Sequence, residues 1–71
     1  MTSQYIERME MEHKELAEKS LALAEFIHRS KVFDTLENQE KVRMIQQLGF
    51  MQSYAHILDC RIHSAKNKES K

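Results

Sequence analysis

Apolar residues recur along this chain in steps of three and four. The first series is Ile6, Met9, His13, Leu16, Ser20, Leu23 and Ile27, with His13 and Ser20 as its polar members. The second is Met44, Leu48, Met51, Ala55, Leu58 and Ile62. Alternating steps of this kind hold one stripe on the side of an α-helix, so the pattern predicts two helices that each carry an apolar seam. The chain has no proline and one glycine, which disfavours turn-rich β structure. We expect helix A over about residues 3–31, a turn over about 32–37 and helix B over about 38–65. Residues 1–66 then form one unit, and the polar, lysine-rich tail 67–71 is expected to be disordered.

Local signals mark the ends. Thr2 or Ser3 offers a hydroxyl to the first free amides of helix A. Asp34 with Glu37 has the spacing of a capping box, and Asn38 is a second candidate cap for helix B. Glu10–Lys14, Glu15–Lys19 and Glu25–Arg29 are acid-to-base pairs four apart, as on a solvated helix face. Phe33 and Leu36 lie within the break and are expected to fold back over the end of the pair. Helices of about 28 residues, each about 42 Å long, must lie antiparallel when joined by so short a turn.

The predicted fold class is therefore all-α: a two-helix antiparallel hairpin. A core of this size rarely stabilises a chain alone, and oligomerisation is the common remedy. The hairpin is accordingly expected to assemble into a homodimer or higher-order helical bundle. Its assembly core is read as Ile6, Met9, Leu16, Leu23, Ile27, Met44, Leu48, Met51, Leu58 and Ile62.

Helix B adds a second signal. Residues 44–58, MIQQLGFMQSYAHIL, contain no Asp, Glu, Lys or Arg, in a chain that is 31% charged. Its seam clusters within about 40° of Met44, while Phe50, Tyr54 and Ile57 form a stripe about 100° away. Gln46, Gly49, Ser53, His56 and Cys60 make a third, weakly polar face. Helix A covers only one direction, so the aromatic stripe requires another partner. The reading is a second copy of the chain, with docking of a different protein as the competing one. Phe33, Phe50, Tyr54 and Ile57 are the candidate partner contacts.

Charge and chemistry narrow the function. Eleven basic and eleven acidic side chains give zero formal charge, with the signs mixed in both halves. That balance makes nucleic acid an unlikely partner and permits self-association. No apolar run approaches the roughly 18–20 residues of a membrane span, and the N-terminus lacks the apolar core of a signal peptide. Cys60 is the one cysteine, which precludes an internal disulfide and fits a reducing cytoplasm.

His56, Cys60 and His63 share one helical face and are weak candidates for a metal. Three ligands fall short of a closed structural site, so no metal and no cofactor are expected. Neither an oxyanion hole nor an orienting acid accompanies Cys60 as a nucleophile. Glu10-x-x-His13 and Glu25-x-x-His28 have di-iron spacing, but helix B offers no inward carboxylate in its middle. Phosphate-binding loops and paired catalytic carboxylates are absent, so the chain is not expected to be an enzyme.

The layout resembles the small helical-hairpin accessory proteins of bacteriophages and prophages, the crAss-like-phage-related family. The resemblance rests on Leu23-Ala-Glu-Phe26-Ile27, on Phe33-Asp-Thr-Leu36, and on Gln47-Leu48-x-x-Met51-x-x-Tyr54-x-x-Ile57-Leu58-x-x-Arg61. It spans about residues 5–63. Gly49 and the His/Cys face depart from it. Some such phage proteins are dimers that inhibit a host regulator, and others are oligomers that sequester cyclic-nucleotide immune signals. The resemblance implies a phage-encoded protein of the host bacterial cytoplasm that binds stoichiometrically and inhibits or modulates a host protein. The alternative is an oligomeric sponge for a nucleotide immune signal, using Tyr with Arg or Lys at subunit interfaces. A structural coiled-coil adaptor is the third reading.

Overall fold

The computed structural model describes residues 2–69, and the side chains of residues 4–68. The Thr2 and Ser3 hydroxyls therefore lie outside the described side chains, and residues 1, 70 and 71 outside the described residues. The elements are α1 (Thr2–Arg29), α2 (Lys31–Asp34) and α3 (Asn38–Glu69). Among the described residues there is no strand. The molecule is a rod of 53 × 14 × 14 Å in which α1 and α3 pack together.

The break between the long helices falls at Ser30. Its backbone is extended (φ −81°, ψ 130°), and its hydroxyl accepts a 3.1 Å hydrogen bond from the Val32 amide. A serine hydroxyl competes well for backbone amides and so starts a new helix instead of extending the old one. The result is α2, a single helical turn that overlaps the stretch of about 32–37 expected to be a turn. Thr35 closes it: its backbone amide and its hydroxyl both donate to the Val32 carbonyl, at 3.0 and 2.7 Å. Asp34 is consequently the last residue of α2 rather than the cap of the next helix.

The start of α1 meets the end of α3. Ile6, Met9, Leu58 and Ile62 form the buried cluster, with Leu16 and Ala65 packed against it. Leu58 is fully buried. At the other end Phe33 is buried, its ring edge-on to Phe26 with centroids 6.2 Å apart. The Lys41 ammonium lies 5.8 Å from the centre of the Phe33 ring. Between these ends the packing is looser. Leu16, Leu23, Ile27, Met44, Leu48, Met51 and Ala55 are only half-buried. Two helices cannot wrap a seam on all sides, and the middle of each seam stays partly open to water.

Ser20 is buried in this stretch, and its hydroxyl has no hydrogen-bond partner. His13, in the same stripe, is half-buried. Glu10 pairs with Lys66 of α3 at 2.7 Å, where the sequence suggested Lys14. Both side chains are about half exposed, so the pair adds little stability. α3 continues to Glu69, so residues 67–69 of the expected disordered tail are helical. Extending an existing helix costs little once it is nucleated, and Lys66 and Lys68 sit favourably in its last turn.

Candidate functional site

The outer face of α3 is the most unusual surface on the molecule. Phe50 is 75% exposed, Ile57 54% and Tyr54 44%. Single exposed apolar residues are ordinary, but a row of them on one helix face marks a contact surface. They form a row because steps of four and three return to one side of a helix. Arg43, Gln46, Gln47, Phe50, Met51 and Tyr54 line a shallow open groove along it.

The row is bounded by two arginines. Arg43 lies one turn beyond Gln47, and Arg61 lies four residues beyond Ile57. Arg61 donates a 3.1 Å hydrogen bond through Nη2 to the Tyr5 hydroxyl of α1, which holds its guanidinium at the edge of the row. Sequence reasoning stopped the stripe at Ile57 because it followed apolar residues only. The signal for the arginines is the same spacing, carried one step further at each end.

The four candidate contacts do not share one environment. Phe50, Tyr54 and Ile57 are open to a partner, whereas Phe33 is not. Its ring is spent against Phe26 and beneath Lys41, so it acts as the plug over that end of the rod. Of the residues read as an assembly core, Ile6, Met9, Leu58 and Ile62 are buried together at one end, and the others are half-buried.

The His/Cys face is exposed. Cys60 Sγ lies 3.7 Å from His56 Nε2. His63 turns the other way: its Nδ1 donates to the Asp59 carbonyl at 2.9 Å and lies 3.5 Å from the Asp59 carboxylate. Among the described residues no group of three or more His, Cys, Asp or Glu is arranged to hold a metal. Gly49 stands in open space, with nothing within 4 Å of where a Cβ would lie. All described Asp, Glu and Arg side chains are exposed. The site offers binding chemistry: aromatic faces for stacking, guanidinium groups for anions, and amides between them. No described helix is long and apolar enough to cross a membrane.

No curated protein and no solved structure matches the chain. A family profile described as Sequestin matches residues 3–64, a span that takes in most of both long helices, the whole aromatic row and both arginines. On that match, the chain belongs to the Sequestin family.

Proposed function

We propose that this protein is a non-catalytic sequestering protein that captures a small nucleotide-class signal, with copies of an antiparallel hairpin assembled through α3. The observation that carries the reading is the exposed Phe50–Tyr54 row with an arginine beyond each end. Aromatic faces stack on nucleobases, and guanidinium groups pair with phosphates. The family's description, a word for sequestering, supports a capturing role. The phage or prophage origin and the bacterial cytoplasm belong to this proposal. There the protein acts by lowering the free concentration of the signal.

The test is a thermal-shift panel of cyclic and linear nucleotides, followed by recovery of the bound compound from denatured protein. A true ligand at a hundredfold its Kd stabilises the fold by about 2.7 kcal/mol. We expect one nucleotide class to give such a shift and to be recovered chemically unchanged. A compound recovered altered, or a panel without any shift, overturns the reading.

The 75% exposure of Phe50 favours a second reading, in which a host protein's apolar groove takes the ring. In that case a host protein is retained from bacterial lysate by the wild type and lost with Phe50→Ser, while nucleotides leave the melting temperature unmoved.

A further inference from the structure

The row on α3 is longer than its apolar part, and it reads alike from both ends. Arg43, Gln47, Phe50, Tyr54, Ile57 and Arg61 follow in steps of four, three, four, three and four. Every pair is centred on Gln52: Phe50 with Tyr54, Gln47 with Ile57, Arg43 with Arg61. A second α3 laid antiparallel across Gln52 thus sets each Phe50 against a Tyr54 and each Gln47 against an Ile57. It also sets each Arg43 beside an Arg61.

The surface area points to the same occupant. The chain exposes 5824 Å². Folded monomers of its 8.5 kDa mass expose about 4,700 Å². The excess of about 1,100 Å² exceeds the roughly 800 Å² that each partner gives to a standard interface. No Asp, Glu, Lys or Arg lies within 44–58 to oppose its like across the contact. Antiparallel α3 helices also set their dipoles in favourable opposition, which parallel ones do not.

This arrangement brings two cations together at each end, which an anion between them would resolve. Arg43 and Arg61 of one chain stand about 27 Å apart along the helix, too far to share one phosphate. Arg61 is already steadied by the Tyr5 hydroxyl. Arg43 forms no ion pair among the described residues. We infer that a second copy covers this face with its α3 antiparallel, and that each end of the contact is a composite phosphate site. Arg43 comes from one copy and Arg61 from the other. The inference rests on the sequestering reading above and names the part of the ligand that the arginines grip. Planar guanidinium forks from two directions suit a pyrophosphate or a pair of phosphates.

The test is titration calorimetry with inorganic pyrophosphate on the wild type, on Arg43→Gln, on Arg61→Gln, and on the two variants mixed in equal amounts and refolded together. Both positions are exposed, and circular dichroism checks that each variant keeps its helices. The wild type should bind one pyrophosphate per chain, and each variant alone should lose at least about tenfold in affinity. In the mixture half of the dimers are hybrids, and each hybrid keeps one intact site. Mixing should therefore restore about one-quarter of the wild-type sites. Refolded mixtures that recover no sites overturn the composite site, as does a wild type that ignores pyrophosphate. A wild type that binds nucleotide as a monomer ends this inference and the assembly through α3, and leaves only the capture of a nucleotide standing.

Discussion

Leu58 and Ser20 show what sets the stability of so small a core. Leu58 is fully buried at the centre of the cluster. Its replacement by alanine is expected to cost about 2–5 kcal/mol, enough to unfold a domain of this size. Ser20 is the opposite case. Its buried hydroxyl lacks a partner, and an unpaired buried polar group costs about 1–3 kcal/mol. Ser20→Ala is therefore expected to raise the urea midpoint, or at least leave it unchanged. A clear fall would show that the hydroxyl is bonded after all. Gly49→Ala should stabilise by about 0.5–1 kcal/mol, because the site is helical and open. At this scale the spacing told which way a side chain faces, but not how much closes over it. The spacing offers Phe33 both as a plug over the end of the pair and as a partner contact; it is buried, because α2 turns its ring onto Phe26.

Helices were legible from the pattern because three-four spacing has no β counterpart and the chain lacks proline. Their punctuation was less so. The break was expected after Lys31 and falls at Ser30, where one hydroxyl caps the next turn. A capping hydroxyl and an ordinary helix-end serine look alike in sequence. The difference lies in the backbone angle. The element-scale prediction follows from that cap. Ser30→Ala should lose about 1 kcal/mol, seen as a lower thermal midpoint by circular dichroism. Phe33→Ala should lose more, about 3 kcal/mol or above, since it also empties the plug. Similar losses from the two changes would mean that the ring contributes nothing beyond its turn.

For the whole molecule, the decisive quantity is surface. A rod 14 Å across exposes far more than a compact fold of its mass. The row Phe50, Tyr54 and Ile57 was legible as unpartnered because a charge-free run on a charged chain has a use. Its arginine ends were not, because a hydrophobic reading does not follow a polar residue. With α1 packed against α3, Phe50, Tyr54 and Ile57 still stand open, so this face of α3 is not covered from within the described chain. Sedimentation equilibrium at micromolar concentration, on the wild type and on Tyr54→Glu, tests this most directly. The account predicts a wild type of at least twice the 8.5 kDa chain mass, and a Tyr54→Glu protein driven toward the monomer. A wild type that stays a helical 8.5 kDa species at every concentration would contradict it.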